Sequence, residues 1–191
     1  MDITHIIRGE DHISNTPKQI LIASALGFAL PIFGHLPLIL GTDRAKLSKR
    51  NAVVSIADYK EDGFLPETLV NFMALLGWNP GDNRELFSLE ELIHEFSVSK
   101  IQKSGAIFDV KKLEWMNSHY IRALSPDALR ERALYYLDKN NILKHEGDGS
   151  YRSASGAFYD EEYVNKALLL EQSRLKKLSE IVEVSKPLFV D

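Results

Sequence analysis

Two short stretches of this 191-residue chain hold most of its charged and hydrogen-bonding side chains at spacings that suit chemistry. One is Lys46-Leu47-Ser48-Lys49-Arg50, after the apolar run His35-Leu36-Pro37-Leu38-Ile39-Leu40 and the turn Gly41-Thr42-Asp43. Lysines three positions apart, each a full charge on a flexible stem, suit a polyphosphate. The competing reading is a basic pentapeptide on a solvated face; no Ser/His/Asp order suggests a nucleophile, and Ser48, between cations, reads as orienting the loop or a phosphate. The other is Arg8-Gly9-Glu10-Asp11-His12, continuing through Asn15-Thr16-Pro17-Lys18-Gln19, one βαβ unit upstream of the lysines. Arg8 there could instead pair with Glu10 or Asp11 as a surface bridge. His5, His12 and His35 lack ligand spacing, so no protein-bound metal is expected, and His12 and His35 read as hydrogen-bonding groups of the site or the fold.

These side chains need elements to hold them. Ile3-Thr4-His5-Ile6-Ile7 is short, β-branched and apolar, which predicts a buried strand ending at Arg8-Gly9. Charges just past the carboxyl end of a strand lie where open α/β sheets bind ligands. Thr16 as N-cap, Pro17 at the first helical position and Gln19 closing a capping box predict a helix that stops at Gly27. A second strand is predicted around residues 35–40, with Pro37 marking an edge position, or at least one with no ladder donor. Two strands make half of a nucleotide-binding sheet and leave both faces underburied, which suits a chain that begins partway through a larger domain.

Beyond Arg50 the pattern turns helical. Ser55 and Asp58 cap a short helix to about Asp62; Pro66 opens another that reaches Gly77; Asn79-Pro80-Gly81-Asp82 is a turn; Ser88-Leu89-Glu90-Glu91 is a capping box; Asp109 starts the helix of Leu113 and Met116. Trp78 and Trp115 read as core or inter-helix anchors. Ser125-Pro126-Asp127 is a fresh helix start and a subdomain boundary, residues 145–150 are a loop, and a long helical pattern runs from Asp160, so that residues 125–191 read as helix.

Composition bounds the class. No run approaches the roughly 20 apolar residues of a membrane span, and the absence of cysteine excludes disulfides and thiolate metal sites and fits a cytoplasmic setting. The net charge of −4 speaks against indiscriminate nucleic-acid binding. It is unevenly spread: Lys+Arg against Asp+Glu is 6 to 4 over residues 1–55, 7 to 11 over 56–124 and 10 to 12 over 125–191, so an RNA would be met by local patches.

Arg8-Gly9-Glu10-Asp11-His12 with Asn15-Thr16-Pro17-Lys18-Gln19, then Gly34-His35-Leu36-Pro37-Leu38, then the lysine loop, resemble the bacterial-type glutamyl-tRNA synthetases, which are class I aminoacyl-tRNA synthetases. Residues 104–109 and Lys112-Leu113-Glu114-Trp115-Met116-Asn117 resemble that family's stem-contact region. The resemblance implies a mainly α chain with an α/β portion: the second half of a Rossmann-like catalytic domain over 1–54, a helical stem-contact domain over 55–124, and the start of a helical anticodon-binding domain over 125–191. It implies ATP, accompanied by Mg2+, L-glutamate and tRNA(Glu) as substrates of a ligase that is a monomer at full length and has no membrane partner. Lys49 and Lys46 would be the catalytic cations. Asp11, Ile39 through its backbone, Lys46, Leu47, Ser48, Lys49 and Arg50 would surround ATP, and Arg8 would hold glutamate. Asn51-Ala52 departs from the family's usual His-Gly, and the family's first signature, His-Ile-Gly-His, does not occur, so this chain is not expected to activate glutamate alone. The alternatives are a non-catalytic tRNA-binding module, a glutamate-activating enzyme acting on a modified tRNA base, and a glutaminyl enzyme.

Overall fold

The computed structural model describes residues 2–47, 55–147 and 149–189. The chain divides into two compact units, Met1–Ala52 with Met73–Asp109, and Val53–Phe72 with Val110–Asp191. The helix start at Ser125, expected as a subdomain boundary, lies inside the second unit.

In the first unit, strand β1 (His5–Gly9) runs through a 3-10 turn, Glu10–Asn15, into helix α1 (Thr16–Ala25) and returns as strand β2 (Ile32–Leu36). The strands pair in parallel, Ile6 opposite Phe33 and Arg8 opposite His35. Side chains alternate across the sheet. Ile6, Arg8, Phe33 and His35 occupy the partly covered face, whereas Ile7, Ile32 and Leu36 are exposed on the other. The strand expected to be buried is therefore half-exposed, because two strands cannot cover both of their faces. Helix α1 ends as read: Gly27 takes φ +71, its N–H donates to Ser24 O, and that of Phe28 donates to Ala23 O.

The single strand expected over residues 35–40 is two. Proline has no N–H to donate, and pairing breaks at Pro37; strand β3 (Ile39–Leu40) pairs instead with strand β4 (Ala106–Ile107). Helix α4 (Leu89–Glu95) begins at the expected Ser88/Glu91 capping box, and Trp78 is buried with Phe87 and Leu92.

The second unit starts with helix α2 (Ile56–Glu61), whose Ser55/Asp58 capping box is formed, and continues into helix α3 (Pro66–Gly77), within which the division of the chain falls. Helices α5 (Val110–Arg122), α6 (Pro126–Lys139), α7 (Glu161–Gln172) and α8 (Ile181–Phe189) complete its helical part. The core joins Ile121, Leu129, Leu137, Leu168 and Ile181, all fully buried. Tyr136 donates its hydroxyl to Lys60 O at 2.6 Å, and burial pushes the phenol up to about 12.

Three expectations fail here. Residues 125–191 are not helix throughout: strands β5 (Leu143–His145), β6 (Ser150–Ser153) and β7 (Phe158–Asp160) form an antiparallel sheet in that order. The long helix from Asp160 is interrupted after Gln172, by a 3-10 turn over Leu178–Glu180. Trp115 is 45% exposed, because α5 buries Leu113, Met116 and Asn117 instead.

A tight joint holds the α2–α3 turn. Gly63 has φ +92, its carbonyl accepts from Leu178 N–H at 2.9 Å, and a Cβ placed on it would lie 2.6 Å from Leu178 N and collide with Ser179 N. Gly63→Ala should therefore cost about 2–3 kcal/mol through backbone strain and displacement of the Leu178–Glu180 turn. Urea unfolding of the variant measures this; an unchanged midpoint would mean that the turn yields freely.

Candidate functional site

Arg8 stands at the carboxyl end of β1, as its sequence position implies. It pairs with neither Glu10 nor Asp11. Its Nη2 donates to Thr16 Oγ1 at 2.8 Å, its Cζ lies 5.6 Å from the centroid of the Phe33 ring, and its Nε is buried without a hydrogen-bond partner among the described residues. Register explains the grouping, since the pairing of Arg8 with His35 and Ile6 with Phe33 puts all four on one face, and α1 begins there with Thr16.

Thr16 itself corrects the reading of this helix start. The N-cap is Asn15, which makes no side-chain capping bond. Thr16 is buried, with its hydroxyl turned to the sheet, donating to His12 O at 3.2 Å and lying 3.0 Å from His35 Nε2. A local capping rule cannot see a partner nineteen residues away.

The two charged stretches meet at Asp11 and Lys46. After β3 the chain folds back through Gly41–Arg44: Gly41 N–H donates to Ala45 O at 2.8 Å, Arg44 takes φ 61, and Leu47 N–H donates to Ile39 O at 2.9 Å. This reversal brings Lys46 Nζ to 2.6 Å from Asp11 Oδ2. Asp11 lies over the backbone of Gly9, where a Cβ would fall 2.6 Å from Oδ1, so the glycine of Arg8-Gly9-Glu10-Asp11 makes room for the carboxylate. The hydrogen bond from Lys46 holds the Asp11 carboxyl below the usual carboxylate range. A carboxylate lowered in this way stays ionised at neutral pH, and the pair is lost only as pH falls through that lowered value. Both side chains are well exposed, 58% for Lys46 and 38% for Asp11, so an arriving anion can compete for the ammonium.

Glu10 has a role that sequence reading missed. Its Oε1 accepts from Leu38 N–H at 3.1 Å, bonding the backbone donor that follows the break at Pro37 and tying the segment between β2 and β3 to the turn after β1. Ile39 is 42% exposed and its carbonyl is taken by Leu47. Ser48, Lys49 and Arg50, with Asn51 and Ala52, lie outside the described residues. Among the described residues no group of three or more His, Cys, Asp or Glu could hold a metal ion, and no helix is long and apolar enough to cross a membrane.

A model of the family described as "tRNA synthetases class I (E and Q), catalytic domain" matches residues 1–115, more than half of the chain. The chain belongs to this synthetase family. Similar members include the glutamate–tRNA ligase of Aquifex aeolicus, 49% identical over 193 residues, covering 100% of this chain and 38% of that protein. The corresponding ligase of Natranaerobius thermophilus is 47% identical over 181 residues, covering 95% of this chain and 35% of its own length. Among solved structures, the glutamate tRNA ligase of Elizabethkingia meningosepticum, crystallised in complex with its amino acid, superposes with a TM-score of 0.76 at 31% identity over 97% of this chain and 38% of that one. The glutamate–tRNA synthetase of Elizabethkingia anophelis gives 0.75 at 31% identity, over 96% of this chain and 38% of that one. This synthetase chain thus spans little more than a third of the length of the relatives it matches.

Proposed function

We propose that this chain is the part of a glutamate–tRNA ligase that carries the second half of its catalytic fold and the helices that follow. The observation that carries the reading is similarity over the whole chain to ligases of that one specificity, 49% identical in the Aquifex aeolicus protein. In the proposed reaction a glutamate carboxylate oxygen attacks the α-phosphorus of ATP, and the bond from that phosphorus to the β-phosphate oxygen breaks. Pyrophosphate leaves, and the acyl group of the glutamyl-adenylate passes to the 3′ end of tRNA(Glu). Mg2+ enters with ATP, as part of the substrate.

Each group has a place in this scheme. Arg8, already held on one side by Thr16 and Phe33, keeps donors for the carboxylate of glutamate. Asp11 accepts hydrogen bonds on the ATP side. Lys46 exchanges Asp11 for a phosphate, Lys49 meets the charge that grows on the departing pyrophosphate, and Leu47, Ser48 and Arg50 complete the loop around it. Ile39 lies beside the adenine through its backbone. Residues 55–124 would meet the tRNA stem, and 125–191 would begin the anticodon-binding part.

A chimera in which this chain replaces the matched segment of the Aquifex aeolicus ligase tests the proposal. It should catalyse ATP–pyrophosphate exchange that depends on glutamate and not on glutamine, and should charge the 3′ end of tRNA(Glu). A folded chimera that binds tRNA without exchange would leave a non-catalytic RNA-binding module. Exchange without 3′ charging would favour transfer to a modified base.

A further inference from the structure

We propose that Thr16 is a positioning residue for glutamate recognition, its hydroxyl locked between His12 and His35 so that it fixes the guanidinium of Arg8; this rests on the reading of Arg8 as the glutamate-binding group. A hydroxyl has one hydrogen and two lone pairs. Thr16 gives the hydrogen to His12 O at 3.2 Å and accepts from Arg8 Nη2 at 2.8 Å. The remaining lone pair faces His35 Nε2 at 3.0 Å, so that nitrogen carries a hydrogen and donates. The one hydrogen and both lone pairs of the hydroxyl are then used, so turning it away from Arg8 would break its other contacts as well.

The surroundings reinforce the lock. Thr16 is only 9% exposed, and the branch at its Cβ restricts χ1, so the hydroxyl direction is set by packing as well as by partners. His35 stands opposite Arg8 in the strand register, which makes the spacing of the two groups a property of the sheet. Helix α1 forgoes a side-chain cap at its N-terminus although a threonine lies one position away, so this hydroxyl serves the sheet face and not the helix end. With Nη2 fixed and Cζ held over the Phe33 ring, Arg8 presents its remaining donors in a restricted orientation, which is what two-point recognition of a carboxylate needs.

The test uses the chimera described above, with glutamate and ATP varied separately. Thr16→Val keeps the shape and removes every hydrogen bond. It should raise KM for glutamate about tenfold, with kcat and KM for ATP little changed, and Thr16→Ser should restore KM for glutamate. Arg8→Ala, measured alongside, should raise the same KM by more. An unchanged KM for glutamate in Thr16→Val, where Arg8→Ala raises it, would overturn the positioning role while leaving Arg8 its own. Equal losses toward both substrates, not rescued by Ser, would make Thr16 merely structural and overturn it too. An Arg8→Ala enzyme with an unaltered KM for glutamate would overturn the reading on which the inference rests.

Discussion

Asn117→Ala should lower the unfolding free energy of the second unit by about 3–5 kcal/mol, a large loss for a single polar substitution. Asn117 is fully buried and all four of its hydrogen-bonding positions are in use. Its Oδ1 accepts from Leu65 N–H at 2.8 Å and from Thr68 Oγ1 at 2.9 Å, at the start of α3. Its Nδ2 donates to Gly63 O at 3.2 Å and to Lys176 O at 2.6 Å. Gly63 O would keep the bond from Leu178 N–H, but the Leu65 amide and the Thr68 hydroxyl would lose this acceptor. Leu65 is 2% exposed and Thr68 is fully buried, so water has little access to replace it. Urea unfolding of the chain and its variant gives the difference, and a loss below about 1 kcal/mol would mean that the turn opens to water at little cost.

The same geometry limits what Asn117 can do in function. It belongs to the segment whose sequence resembles a stem-contact region, yet its side chain is spent inside the unit, joining the α2–α3 turn, α5 and the segment before α8. Under the proposed function, its loss should reduce the folded fraction and leave the tRNA affinity of the folded remainder unchanged.

Where a signal is local, residues forecast structure well. Ser55 with Asp58, Ser88 with Glu91, and Ser125 before Pro126 each satisfy a helix start from side chains within three residues, and each forms. Gly27 closes α1 because the motif needs positive φ there. Where the deciding partner is distant, the same rules misread. Thr16 looks like a cap and serves Arg8 and His35; the run over residues 35–40 looks like one strand and is two; Glu10 gave no sign that it would bond Leu38 N–H. Strands β5 to β7 are three or four residues each, too short for a period of two to stand out from neighbouring helical patterns. Of the candidate site, residue types and motif order were legible. The meeting of Asp11 with Lys46 was not, because it depends on the reversal after β3.

Under the proposed function, Lys49→Ala should be the costlier loss to catalysis of the two loop lysines. In the chimera, adenylate formation at saturating ATP and glutamate should fall about 10²–10³-fold, the scale for removing one preorganised group from a developing charge. Lys46 is engaged with Asp11 before any substrate arrives, so a phosphate must displace that carboxylate to gain its charge, and part of the attraction is offset. Lys46→Ala should therefore be the milder variant, with its effect shared between KM for ATP and rate. In the role proposed for Lys49, its charge is set against the negative charge that passes to pyrophosphate as the α–β bridging bond breaks, so its contribution should grow along the reaction and appear in kcat more than in ATP binding. Rapid-quench measurement of a single turnover separates the two effects. A Lys49→Ala chimera that forms adenylate at the parent rate once ATP is saturating would remove Lys49 from catalysis and leave it a ground-state phosphate contact.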